Sequence, residues 1–182
     1  MSWIPAILVV VLIGWFVMAY NSLVRLRNQF KNAWHQIDVQ LKRRYDLIPN
    51  LVEVVKDYMS YEQETLTRVI EARGAALSAR GASAQGKAEN ALTESLKSLF
   101  AVVERYPELK ANQNVSSLQE ELAGTENKIS FARQFYNDSV MTYNNQIQSI
   151  PTNLIAQVFD FSRAEYFETG EESRAVPKAD LR

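Results

Sequence analysis

The sequence predicts an all-α protein: an N-terminal transmembrane helix, then an antiparallel bundle of about four helices, the first long and kinked at a proline. Three observations predict it. The chain opens on an uncharged apolar run, apolar residues downstream recur at spacings of three and four, and nothing alternates as a half-buried strand would. The expected division is an anchor over residues 1–22, a bundle over 23–160 and a mostly disordered tail over 161–182.

The anchor is "WIPAILVVVLIGWFVMAY", residues 3–20. At 1.5 Å per residue it spans about 27 Å, close to a hydrocarbon core of about 30 Å. Trp3 and Tyr20 suit the two interfaces. The competing reading is a cleaved signal peptide, for which Val17-Met18-Ala19 offers small residues. No Lys or Arg precedes the run, however, and it exceeds most signal-peptide cores, so a retained anchor is the expectation. Arg25, Arg27 and Lys31 follow it and are expected to meet lipid headgroups. Positive residues on that side place the bundle in the cytoplasm and the short N-terminus outside the inner membrane; a periplasmic bundle is the alternative.

Downstream, Leu23, Leu26, Phe30, Trp34, Ile37, Leu41, Tyr45, Ile48, Val52, Val55, Met59, Leu66, Ile70 and Leu77 fall on one helical line, with Arg25, Asn32, Arg43, Asn50, Asp57 and Arg68 opposite. Pro49 interrupts this line chemically, since it lacks an N–H and crowds the preceding turn. A helix restarting after it would have no reason to keep the earlier phase, yet the phase holds. The expectation is one helix from Asn21 to Ala79, kinked at Pro49, its lost bond covered by packing or water. "RGASAQGKAEN", residues 80–90, is the expected first loop. A second helix follows on Leu92, Leu96, Leu99, Val103 and Tyr106, and Pro107 ends it. Ser116 and Ser117 precede Gln119 and Glu120 as overlapping capping boxes. They would open a third helix carrying Leu118, Leu122, Ile129, Ala132, Tyr136, Val140, Tyr143 and Ile147. A short fourth helix starts at Thr152 or Asn153, and Tyr166 and Phe167 are a last anchor point.

Composition excludes several chemistries. Among 182 residues there is no cysteine and one histidine, so thiolate sites, disulfides and histidine clusters within one chain are out. A net charge of -1 gives no electrostatic case for nucleic acid. No cofactor or metal is expected. His35 lies on the solvated side of the stripe. Glu53 with Asp57, and Glu121 with Glu126, read as solvated carboxylates, because no Glu-x-x-His spacing accompanies them. Lys42-Arg43-Arg44 reads as a salt-bridged helix face rather than a lipid site, lying about 27 Å beyond the juxtamembrane arginines.

"YNSLVRLRNQF", "AWHQIDVQLKRRYDLIPNLVEVVKDY", "RYPELKAN", "LQEELAGTENKISFARQFYND" and "YFE" run in order from residue 20 to about 167. On these motifs the chain resembles the LemA family of bacterial membrane-anchored proteins. The resemblance implies an N-terminal membrane helix, a small external N-terminus and a bundle of about four helices. It brings no established activity. Such genes often neighbour zinc-dependent, heat-shock-related membrane proteases, which implies a link to membrane protein quality control at the cell envelope.

Three functional readings follow: a membrane-anchored interaction or scaffold module without enzymatic activity, a self-assembling homo-oligomer, or an accessory subunit of a membrane enzyme such as a protease. Around Pro49, Leu47, Leu51 and Val54 widen the apolar arc to about 160°. Either residues 47–55 are wrapped by helices two and three, or these three side chains form a docking surface.

Overall fold

The computed structural model describes residues 3–59 and 61–167. Among them are six helices and no strand: α1 Trp3–Val55, α2 Gln63–Ser78, α3 Ala82–Val103, α4 Pro107–Lys110, α5 Gln113–Gln148 and α6 Thr152–Val158. The chain forms two compact units. One holds the residues to Asp38 with Phe131–Glu165; the other holds Val39–Ser130 with, among described residues, Tyr166 and Phe167.

In the first unit, α1 carries the apolar run directly into the bundle without a helix break. Residues 3–14 are exposed throughout, an apolar surface that the described residues leave uncovered. The core begins at the other end of that run. Leu23, Tyr143, Ile147, Ile155, Ala156 and Phe161 are buried together, with Trp15, Tyr20, Val24 and Phe30 packed around them. Phe30 lies 5.0 Å from Tyr143 and 6.5 Å from Tyr136, and Trp34 lies 5.4 Å from Tyr136, ring centre to ring centre. Each such buried side chain stabilises by about 1.5–3 kcal/mol over its exposed state. The segment after α6 is packed rather than loose. Tyr136 Oη donates to the Glu165 carbonyl at 2.8 Å and Tyr143 Oη to that of Ser162 at 2.9 Å. Asn144 clamps Ala164 from both sides, Nδ2 to its carbonyl and Oδ1 from its N–H, each at 2.9 Å. Packed chain therefore continues past the expected boundary at residue 160, as far as the buried Phe167. The rest of the expected tail, 168–182, lies outside the described residues.

In the second unit, α1 passes Pro49 as a continuous helix, as the phase argument expects. The proline leaves the Tyr45 carbonyl, four residues back, without its helical donor. Arg73 Nε supplies one at 2.9 Å. The lost bond is covered by a guanidinium from α2.

That contact also corrects the expected helix from Asn21 to Ala79. Residue 73 reaches residue 45 only because the chain turns between Val55 and Gln63. The last turn tightens, with Tyr58 N–H and Met59 N–H both donating to the Val55 carbonyl at 3.1 Å. Met59 is fully buried and pins the turn, while Glu62 and Glu64 suit the positive start of α2. The constant phase across residues 56–62 was a coincidence of count. On α2 the buried side chains are Leu66, Val69 and Ala76, whereas Ile70 and Leu77 are 53% and 47% exposed, so the true line has slipped by one residue.

Three further boundaries differ from expectation. The first loop is not residues 80–90 but the short link around Gly81, whose φ of 83° suits glycine, and helix resumes at Ala82. Helix α5 starts at Gln113, capped by Asn112 Oδ1 accepting from Asn114 N–H at 2.9 Å, ahead of the two serine capping boxes. Helix α6 follows Pro151, with no side-chain capping bond from Thr152 or Asn153.

Candidate functional site

The second unit holds a buried polar cluster on facing helices. Arg44 on α1 is 2% exposed and Glu89 on α3 is 0% exposed, and they pair at 3.1 Å. Arg44 also pairs with Glu126 on α5 at 2.8 Å and donates to Thr93 Oγ1 at 2.8 Å. Thr93 Oγ1 in turn donates to Glu126 Oε1 at 3.4 Å. The second Glu89 oxygen accepts from Tyr45 Oη and from Gln85 Nε2, the latter at 3.1 Å. Gln85 Nε2 also reaches Tyr45 Oη at 2.9 Å and the Ala76 carbonyl at 3.0 Å. Burial, reinforced by the hydrogen bond to Glu89, holds the Tyr45 phenol well above its ordinary range.

The helices place these groups by simple spacing. Gln85, Glu89, Leu92 and Leu96 lie three or four apart on the buried face of α3, so the apolar stripe continues in polar residues toward its N-terminus. Arg44 and Tyr45 sit on adjoining sides of the α1 stripe. Each oxygen of Glu89 is engaged by a fixed donor, and Arg44 is shared by two carboxylates. Such an arrangement joins α1, α3 and α5 through paired charges.

Sequence reasoning paired Arg44 correctly but put it on the surface, and it put Glu126 in solvent. Arg44 is buried, and Glu126, 33% exposed, faces it. The other acids do lie at the surface: Glu121 pairs with Arg43 at 3.2 Å and Glu53 with Lys56 at 2.6 Å. Gln85 and Glu89 were missed because 80–90 read as a loop, and Thr93, in the expected second helix, was not singled out. The available signal was the three- and four-residue spacing of Gln85 and Glu89 ahead of Leu92.

The proposed contact residues separate. Leu51 is 0% exposed and belongs to the core, whereas Leu47 and Val54 are half-buried and Pro49 is exposed. In the first unit, Arg25 and Lys31 are exposed, and the Arg27 guanidinium lies 4.8 Å from the centre of the Phe161 ring. An open groove beside them is lined by Asn21, Asn28, Gln29, Asn32, Gln36, Arg25, Val24 and Phe135. It offers amides and one guanidinium, with no acid–base pair. His35 is exposed. Among the described residues no three His, Cys, Asp or Glu side chains gather as metal ligands would.

Fold and site together define an all-α protein with one N-terminal helix long and apolar enough to cross a membrane, and a helical domain tied by buried polar pairs. A model of the LemA family matches residues 33–181, most of the chain, and the chain belongs to the LemA family. It is similar to Magnetosome protein MamQ 2 of Paramagnetospirillum magneticum, 26% identical over an alignment of 191 residues that covers 91% of this chain and 70% of that protein. Protein LemA of Metamycoplasma hominis is 26% identical over 176, covering 93% and 80%. Magnetosome protein MamQ of Magnetospirillum gryphiswaldense is 24% identical, covering 90% and 70%.

Proposed function

We propose that the protein is a non-enzymatic interaction module, held on the inner membrane by residues 3–20 with its helical domain in the cytoplasm and its N-terminus outside. One observation carries the reading: the apolar run and the first bundle helix are a single α-helix, Trp3–Val55. A continuous helix ties the orientation of whatever binds the bundle to the bilayer, which is what a scaffold needs and a reaction does not. Two features support it. The buried charges of the second unit are matched to one another, and the relatives' names describe no reaction. The orientation rests on Arg25, Arg27 and Lys31 after the apolar run. Membrane protein quality control is the process that the family suggests.

Self-assembly is the second reading, favoured by Phe131 and Phe135 on α5, 74% and 45% exposed. Affinity purification from native membranes in mild detergent, followed by sizing, tests both. The expected result is a stoichiometric protein partner and no turnover. A homo-oligomer with no other protein would favour self-assembly. A catalysed reaction abolished by changing a few polar side chains would overturn the proposal. A reporter fused after Arg182 should signal from the cytoplasm; a periplasmic signal would reverse the orientation.

A further inference from the structure

The first unit carries a second apolar surface that its own fold does not cover. Ile150, Leu154 and Val158 follow one another at intervals of four and are 86%, 61% and 76% exposed. Leu154 and Val158, four apart, lie on one side of α6, and Ile150 is exposed in the turn before it. Thr152, Ile155 and Ala156, on the opposite side, are buried. This short helix is apolar on both faces, and only one has a protein partner.

Its position says what covers the other. The Phe159 ring, directly after α6, lies 5.9 Å from Phe16 and 4.9 Å from Tyr20. These belong to the last turns of the apolar run. With that run centred in a bilayer, Phe16 and Tyr20 lie about 7 and 13 Å from the midplane, inside a hydrocarbon half-thickness of about 15 Å. The charge pattern agrees independently. Residues 139–159 contain no charged residue, and charge resumes at Asp160 and Arg163. On α1 it begins at Arg25, and the Arg27 guanidinium stacks on Phe161. Both segments therefore become charged at the same level of the unit.

We infer that α6 is a second membrane contact, its Leu154 and Val158 face, with Ile150 of the preceding turn, seated among the acyl chains of the leaflet through which α1 leaves the bilayer. Exposed amides beside it, Asn145, Gln148 and Gln157, suit the headgroup layer. Burial in lipid removes three large apolar side chains from water without a partner protein. A second copy of the chain fits less well, because three side chains fall far short of the roughly 800 Å² per partner of a stable interface. The contact would fix the roll of the bundle about α1, which a lone spanning helix leaves free.

The inference rests on residues 3–20 crossing the membrane, so its test reads both. The chain has no cysteine, and single variants Leu154→Cys, Val158→Cys, Val10→Cys and Gln134→Cys can each carry an environment-sensitive fluorophore. Full-length protein is reconstituted in phosphatidylcholine–phosphatidylglycerol vesicles containing lipids with a nitroxide either shallow or deep on the acyl chain. Leu154 and Val158 labels should lose about half their emission to the shallow nitroxide and less to the deep one, as expected for burial about 5–10 Å below the headgroups. Val10 should respond most to the deep nitroxide, and Gln134, exposed on α5, to neither. Quenching at Val10 with water-like emission at Leu154 overturns the inference and leaves the anchor standing. Blue-shifted emission at Leu154 with no quenching by lipid means that protein covers the face, which also overturns it. No quenching even at Val10 removes the anchor reading and this inference together.

Discussion

Pro49 and Arg73 should be energetically coupled. The proline leaves the Tyr45 carbonyl without a helical donor, and Arg73 Nε serves that oxygen at 2.9 Å. Arg73→Met removes a charged donor from a carbonyl on the wall of the core. Hydrogen bonds to charged groups contribute about 1.5–3 kcal/mol, and an unsatisfied buried acceptor loses a similar amount, so about 2 kcal/mol should be lost. Pro49→Ala restores an N–H aimed at the same oxygen. It should leave α1 intact and change stability by no more than about 3 kcal/mol. In that background Arg73→Met should cost only about 0.5–1 kcal/mol, a coupling of about 1 kcal/mol between contacting residues. Urea unfolding of the full chain in detergent micelles, followed by far-ultraviolet circular dichroism for the four members of the cycle, measures it. Equal losses from Arg73→Met in both backgrounds would refute the compensation, and a negligible loss in the natural background would refute the contact.

Further outcomes follow from the same packing. Arg44→Met strands the buried Glu89 and should cost about 3–5 kcal/mol, or about 10 °C in melting temperature for a chain of this size, whereas Arg44→Met with Glu89→Leu and Tyr45→Phe should recover most of it; a triple variant as unstable as the single would contradict the pairing. Leu51→Ala should cost about 2–5 kcal/mol as a core truncation. Leu47→Ser and Val54→Ser, half-buried, test the docking surface: loss of a co-purifying partner with little change in melting supports it, and lowered melting with normal association removes it. Burial, with Glu165 nearby, pushes Tyr136 up to about 12 from 10.0. A raised folded value means the contribution is complete below pH 10.0 and is lost between there and about 12, so stability should fall with alkalinity across that window. Tyr136→Phe should flatten the fall, seen by denaturant titration at a series of pH values; an unchanged profile would contradict the assignment.

The fold class was legible because helical period and an uncharged run are local signals. The phase through Pro49 correctly predicted that α1 continues there. Seven residues later the phase persists although the chain turns, since phase registers how residues are counted, not which way the chain runs. Across residues 56–62 nothing local announced the turn, and the buried Met59 that pins it looked like one more member of the stripe. The α3 N-terminus was misread because its buried face is Gln85 and Glu89, polar residues that belong inside only when Arg44 and Tyr45 meet them. Tertiary pairing decided that. The segment after α6 shows the same limit: "FSRAE" has no periodicity, and the side chains that hold it, Tyr136, Tyr143 and Asn144, are on α5.

The central claim is that one uninterrupted helix carries the membrane segment into the bundle. Single-cysteine spin labels placed one at a time over residues 16–28 of the full chain in lipid vesicles test it directly, through collision with oxygen and with a water-soluble nickel complex. A continuous α1 predicts that accessibility oscillates with a period of about 3.6 residues throughout, lipid-facing positions giving way to water-facing ones without a loss of phase. A run of uniformly mobile, water-exposed labels between Tyr20 and Val24 would show a hinge there and contradict the claim.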